Sequence, residues 1–202
     1  MKIGLMGGTF NPIHLGHLII SEYIRLSLPL DKIIFIPSGN PPHKDFDEII
    51  SVDHRYKMAL LATNSNPYFQ ISLSEINRKG FSYTIDTIRE FKEKLLNDEL
   101  YFIIGADSLN ELTSWKDYNL LFKITNFIAI GRPGLTEEYN LGKIKELNDI
   151  YDANIQYING PLIEISSTDI RERISKNLSI KYLVQETVEE YIKLNRLYTL
   201  ED

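Results

Sequence analysis

Gly7-Gly8-Thr9-Phe10-Asn11-Pro12-Ile13-His14-Leu15-Gly16-His17 follows a short apolar run, Ile3 to Met6, and leads into Leu18-Ile19-Ile20-Ser21-Glu22-Tyr23-Ile24. The run reads as a first strand and the segment beyond it as a helix with its apolar face turned to a sheet. A strand, a glycine turn and a helix start are the parts of a phosphate cradle. Glycine lets backbone approach an anion closely, and the first turn of a helix presents N–H groups without partners at the positive end of its dipole. Two histidines three apart, His14 and His17, fall on neighbouring positions of that first turn. Such a pair can hold the oxygens of a phosphoryl group as its coordination changes, through one N–H donor when neutral and added charge when protonated.

Working outward, Lys32-Ile33-Ile34-Phe35-Ile36-Pro37 predicts a second buried strand. The loop after it, Ser38-Gly39-Asn40-Pro41-Pro42-His43-Lys44, ends in a basic pair. Loops at the carboxyl ends of parallel strands line the ligand crevice, so Asn40, His43 and Lys44 are candidate contacts. Ser51 predicts the cap of a helix carrying His54 and Arg55, with surface positions expected for both, Arg55 in a salt bridge. An alternating strand is predicted over Phe69-Gln70-Ile71-Ser72-Leu73. Ser82 is the predicted N-cap of an amphipathic helix whose first turn, Tyr83-Thr84, could receive a carboxylate on free N–H groups. Leu100 to Gly105 and Asn126 to Gly131 predict two further buried strands. Asp107 just past the first could accept hydrogen bonds from a ribose or cap the next helix, and Arg132 leaves the second where a bidentate fork could hold a phosphate. A helix from about Leu141 to Tyr151 and a strand over Ile155-Gln156-Tyr157-Ile158 follow. Ser166-Ser167-Thr168 open a second helix start that suits an anion, with Arg171 one turn in. The segment Ser179 to Leu194 predicts a small helical cap.

The alternation of strands and helices predicts one α/β domain over residues 1–202 with a mostly parallel sheet, its helical C-terminal part from about residue 179. A chain of 202 residues with 43% hydrophobic and 25% charged content is long enough for one well-buried core. A net charge of −6 argues against a general nucleic-acid surface. There is no cysteine, which removes disulfides, thiolate metal sites and cysteine nucleophiles. No apolar run reaches bilayer-spanning length, no secretory core precedes the first glycines, and cytoplasm is the expected compartment.

On these residues the chain resembles the nucleotidylyltransferase superfamily, a doubly wound Rossmann-like fold whose T/HxGH motif binds the phosphates of a nucleoside triphosphate. GGTFNPIHLGH matches its first signature, with Asn11 where the familiar bacterial form has Asp. Ile165-Ser166-Ser167-Thr168-Asp169-Ile170-Arg171 matches its second, ISSTxIR. The run from Glu75 through Arg78 and Gly80 to Ser82-Tyr83-Thr84, then Asp86-Thr87, is similar to the pattern of bacterial nicotinate mononucleotide adenylyltransferases. So are the Pro41-Pro42-His43-Lys44 loop and the segment from Gly105-Ala106-Asp107 to Trp115.

The resemblance implies ATP and nicotinate mononucleotide as partners, direct in-line displacement of pyrophosphate, and Mg²⁺ carried in with the triphosphate. It assigns His14, His17 and Arg171 to catalysis. Gly7, Gly8, Thr9, Phe10, Gly16, Lys44, Gly105, Asp107, Ser166, Ser167 and Thr168 are assigned to ATP. Asn40, Tyr83, Thr84, Trp115, Lys116 and Arg132 are assigned to the mononucleotide, with Trp115 stacked on the pyridine ring. No resident metal site, nucleic acid or membrane is expected, and a homo-oligomer stays open. A nicotinamide amide would set NH₂ donors against the N–H groups meant for a carboxylate, at a cost on the order of 1–3 kcal/mol per group, so the acid form is the expected substrate. Other acceptors, a nucleotide-sensing module and a histidine metal hydrolase using His14, His17 and His43 are the alternatives.

Overall fold

The computed structural model describes residues 1–41, 49–131 and 136–199. Six strands form one sheet: β1 (Lys2–Gly8), β2 (Lys32–Pro37), β3 (Phe69–Ile71), β4 (Glu99–Gly105), β5 (Asn126–Ile130) and β6 (Ile155–Ile158). Their order is β3-β2-β1-β4-β5-β6 and every pairing is parallel. Parallel strands need crossovers that cover both faces, so their sequences read as continuous apolar runs. The buried stretches Ile33-Ile34-Phe35-Ile36 and Phe127-Ile128-Ala129-Ile130 are of this kind.

Seven α-helices lie among the described residues: α1 (Leu15–Ser27), α2 (Val52–Thr63), α3 (Thr84–Lys94), α4 (Tyr118–Ile124), α5 (Glu137–Tyr151), α6 (Ser167–Ser175) and α7 (Glu186–Leu194). On one face Ile85, Ile88 and Phe91 of α3, Leu121 and Phe122 of α4, and Ile144 and Leu147 of α5 pack with Leu5, Phe102 and Phe127. On the other, Ile24 of α1, Met58 and Ala62 of α2, Ile170 of α6, and Val188 and Ile192 of α7 pack with Ile33, Phe35, Ile103 and Ile128. Each fully buried Ile, Leu or Phe contributes about 1.5–3 kcal/mol of transfer free energy.

Three elements differ from their sequence reading. The expected strand to Leu73 stops at Ile71, because β3 pairs with β2 through only three residues at the sheet edge. The helix expected near Leu141 starts earlier, at Glu137, where Thr136 Oγ1 accepts the Tyr139 N–H at 3.2 Å. Within the small helical cap expected over Ser179 to Leu194, the α-helix itself begins only at Glu186: Tyr182 sits at φ 66°, a left-handed conformation that a helix cannot pass through.

The strand order reverses direction at β1, which has β2 on one side and β4 on the other. Ligand crevices in such sheets open at the carboxyl ends of the strands flanking this reversal. There the turn after β1, the loop after β2 and the turn after β4 meet.

Candidate active site

Immediately after β1 the chain turns through Phe10, whose φ is 49° and whose side chain is 2% exposed. Its ring stands edge-on to His17, centroids 5.1 Å apart, and is tilted against Phe35 at 6.0 Å. A Cβ on Gly8 would lie 2.8 Å from that ring, so the turn admits only glycine there. At Gly7 the fit is less tight, with a Cβ standing 3.2 Å from the edge of Phe102.

His14 is the N-cap of α1, in extended conformation, and His17 is its N3 residue. The His14 N–H donates to His17 Nδ1 at 3.2 Å, and the two rings stack with centroids 3.7 Å apart. Accepting that bond requires an unprotonated Nδ1, so the neutral ring carries its hydrogen on Nε2. His17 is thereby held as an Nε2–H donor at a helix start where the Leu15 N–H donates to the Leu183 carbonyl at 2.9 Å and the His17 N–H to the His14 carbonyl at 3.0 Å. Gly16 is buried in the same turn.

The second helix opening comes to the same place. Ser166 is the N-cap of α6 and its Oγ accepts the Asp169 N–H at 3.1 Å. Ser167 Oγ donates to the Pro12 carbonyl at 2.8 Å. Arg171 Nη1 donates to the Asn11 carbonyl at 3.0 Å, and its Nη2 lies 3.5 Å from Thr168 Oγ1. Two segments more than 150 residues apart in sequence are therefore bonded across one turn.

On the β4 side, Gly105 ends the strand and Asp107 is exposed in the short 3₁₀ turn Ala106–Asn110. The cap position belongs to Gly105, so Asp107 does not cap this turn as the sequence reading allowed. Trp115 stands edge-on to Phe102, centroids 6.2 Å apart, which links it to the Gly7 backbone through one ring. Lys116 Nζ lies 4.4 Å over the Tyr83 ring and 3.2 Å from Asp86 Oδ2, tying the Trp115 segment to the start of α3.

The N-cap of α3 is Tyr83, not Ser82, and Thr84 opens the helix. Ser82 Oγ instead accepts the Asn40 N–H at 3.2 Å while its own N–H donates to the Asn40 carbonyl at 2.8 Å. The cap residue is lost to the neighbouring loop, and the first N–H groups of α3 keep no side-chain partner. Asn40 Oδ1 is buried without a hydrogen-bond partner. Lys44, His43 and Arg132 lie outside the described residues.

Three residues of this region escaped the sequence reading. Arg55 is 1% exposed rather than a surface ion pair. It donates to four carbonyls: Thr9 at 2.8 Å, Ser38 at 2.7 Å, Gly39 at 3.3 Å and Ile50 at 3.3 Å. Burial pulls its pKa below the usual arginine value. Glu75 is buried and accepts Thr87 Oγ1–H at 2.7 Å, while Arg78 donates to the same hydroxyl at 2.8 Å. Burial raises this carboxyl's pKa, countered by the Thr87 hydrogen bond. Tyr198 donates its hydroxyl to Asn11 Oδ1 at 2.9 Å. The helical period gave the only signal for Arg55, since it places position 55 on the face shared with Met58, Ala59 and Ala62. His54, also expected at the surface, is half-buried and its Nδ1 lies 2.9 Å from Tyr191 Oη, joining α2 to α7.

Comparison with known proteins decides the family. The cytidylyltransferase-like family profile matches residues 5–173. A protein of Moorella thermoacetica is 47% identical over 202 residues, covering 98% of this chain and 91% of its own length. One from Thermoanaerobacter sp. (strain X514) is 46% identical over 200 residues, covering 98% and 94%. Each is named a probable nicotinate-nucleotide adenylyltransferase. The chain belongs to the nicotinate-nucleotide adenylyltransferase family. Among solved structures, the Plasmodium falciparum nicotinic acid mononucleotide adenylyltransferase complexed with NaAD superposes with a TM-score of 0.79 at 23% identity, covering 98% of this chain and 97% of that one. At that identity the likeness shows the fold, and it matches the six-stranded parallel sheet described above.

A separate surface depression lined by Ser72, Ser74, Arg78, Glu90 and Lys94 shares no residue with the crevice. Arg78 and Lys94 both pair with Glu90 there, each at 2.6 Å, which takes up both cations. No helix of the described residues is long and apolar enough to cross a membrane.

Proposed function

We propose that this chain transfers AMP from ATP to nicotinate mononucleotide, giving nicotinate adenine dinucleotide and pyrophosphate in NAD biosynthesis. The observation that carries the reading is the shared crevice: Ser167 and Arg171 of the late helix opening bond to the turn that delivers His14 and His17. A phosphate oxygen of the mononucleotide attacks the α-phosphorus of ATP in line. The bond from that phosphorus to the α–β bridging oxygen breaks, and the oxygen leaves with pyrophosphate. Phosphoryl chemistry of this kind asks the protein for position and charge stabilisation.

In this reading His17 Nε2–H and His14 contact the phosphates nearest the reacting phosphorus. Arg171 and Lys44 neutralise charge on the leaving pyrophosphate. Gly7, Gly8, Thr9, Phe10 and Gly16 shape the turn, Ser166, Ser167 and Thr168 add donors, and Gly105 and Asp107 receive the adenosine. Trp115 stacks on the pyridine, Tyr83, Thr84 and Lys116 meet its carboxylate, and Asn40 and Arg132 hold the rest of the mononucleotide. Among the described residues no group of three or more His, Cys, Asp or Glu side chains is arranged to hold a metal. Mg²⁺ brought in with ATP would be held by phosphate oxygens and water, where it would offset charge on the triphosphate. We place the reaction in the cytoplasm and treat residues 1–202 as one domain, on composition and on the packing of Val188 and Ile192 into the same core as Ile33.

Pyrophosphate release measured with ATP or CTP against nicotinate mononucleotide, nicotinamide mononucleotide, phosphopantetheine and glycerol phosphate tests the reading. The highest kcat/KM is expected for ATP with nicotinate mononucleotide. No release with either pyridine mononucleotide would overturn it.

A further inference from the structure

Arg55 is the largest fully buried side chain of the molecule among the described residues, and none of the roles above uses it. It reaches out of α2 into the space between the turn after β1 and the loop after β2. Nη1 alone bridges the two, donating to the Thr9 carbonyl at 2.8 Å and to the Ser38 carbonyl at 2.7 Å. Nη2 adds the Gly39 carbonyl at 3.3 Å and Nε the Ile50 carbonyl at 3.3 Å. Four carbonyls from three segments are thus gathered on one planar cation.

A guanidinium carries five donors in a rigid fork, whereas an ammonium offers three donors from a single point. A lysine ends one bond short of the position of Nη1 and carries a single nitrogen, so it cannot take up the Thr9 and Ser38 carbonyls where Nη1 does while also serving those of Gly39 and Ile50. The loop after β2 is fixed from its other side as well. A Cβ on Gly39 would run into the Glu75 carbonyl, and at the mouth of α3 the Asn40 N–H donates to Ser82 Oγ while the Asn40 carbonyl accepts the Ser82 N–H. The turn after β1 is fixed by Ser167, Arg171 and Tyr198. Two bridges join these clamped units: the Ser38 N–H, which donates to the Gly8 carbonyl at 2.9 Å where β1 and β2 end, and beyond it Arg55, which ties Thr9 to Ser38 and Gly39.

We infer that Arg55 is a positioning residue that sets the separation between the ATP turn and the mononucleotide loop, so that the attacking phosphate and the α-phosphorus meet in line. This deepens the adenylyl-transfer reading and rests on it. In-line transfer is sensitive to such spacing, since a misplacement of about 1 Å costs on the order of a hundredfold in rate. The ATP turn keeps its clamps to Ser167 and Arg171, and Asn40 keeps its bonds to Ser82, so loss of the bridge lowers turnover while leaving each ground-state affinity nearly intact. Lys44, in the same loop as Asn40, acts on the leaving group, so its displacement also registers in turnover.

The test compares wild type with Arg55→Lys, after thermal melting shows the variant folded. Steady-state kinetics should show kcat down about a hundredfold, with KM for ATP and for nicotinate mononucleotide each within about threefold of wild type. A folded variant with kcat within a few-fold of wild type overturns the inference, as does one that loses only KM. Where the variant does not fold, hydrogen exchange on the wild-type protein decides. A non-hydrolysable ATP analogue alone should slow exchange at Ser38 and Gly39, and unchanged exchange there would overturn the inference. Wild-type protein that fails to release pyrophosphate would count against the adenylyl-transfer reading itself, and analogue-induced protection would still be measurable.

Discussion

His17 shows how one side chain is prepared by its neighbours. Its Nδ1 accepts the His14 N–H, its ring meets that of Phe10 edge-on, and the neutral ring keeps its hydrogen on Nε2. Donors aimed at developing negative charge are worth on the order of 10²–10³ in kcat each. His17→Ala should therefore lose at least about a hundredfold in turnover, with circular dichroism and melting temperature close to wild type, because the phosphate turn is held by other bonds. Tyr101 offers a prediction of another kind. Burial, and after it the 2.6 Å hydrogen bond to Glu99, push its phenol from 10.0 up to about 12. The folded state keeps this proton to higher pH than the unfolded chain does. Its contribution to stability is complete below about pH 10 and is lost as pH rises toward 12. Urea midpoints across that window, compared with Tyr101→Phe, should show the wild type losing its excess stability there.

At the scale of elements, legibility followed apolar content. The β2 run, Lys32–Pro37, was readable to the residue because a parallel strand buried on both faces leaves an uninterrupted signature; β6, Ile155–Ile158, matched its expected bounds although it is an edge strand with Gln156 and Tyr157 half-buried. Helix starts were less so. Ser51 and Ser166 cap α2 and α6 as their sequence suggests, but Ser82 is drawn off to Asn40 by a contact 42 residues distant. Arg55 and Tyr198 were illegible for the same reason, since their partners are carbonyls and a side chain in loops that only the fold brings near. The motifs nevertheless marked the crevice, because glycine turns and hydroxyl-rich helix starts are local chemistry. The junction of the Gly39 loop with the Glu75 segment can be tested directly. Gly39→Ala places a Cβ against the Glu75 carbonyl, which cannot rotate away. We expect a loss of about 1–3 kcal/mol in chemical unfolding and a raised KM for the mononucleotide, with KM for ATP little changed.

Across the whole molecule, the turn after β1 is where the chain's distant parts are joined. The first strand delivers it, α2 supports it through Arg55, α6 meets it through Ser167 and Arg171, and the C-terminal turn closes on it through Tyr198, 187 residues from its partner Asn11. Tyr198→Phe keeps the ring and removes one buried hydrogen bond, so a loss of about 1 kcal/mol in urea unfolding is expected. The two helix openings at α1 and α6 are held to act on one triphosphate. The most direct measurement is a crystal structure with a non-hydrolysable ATP analogue. His17 Nε2 and the Arg171 guanidinium are expected within hydrogen-bonding distance of the phosphates of the same nucleotide. Phosphates seated away from either group, with the two facing different ligand atoms or solvent, would contradict the account.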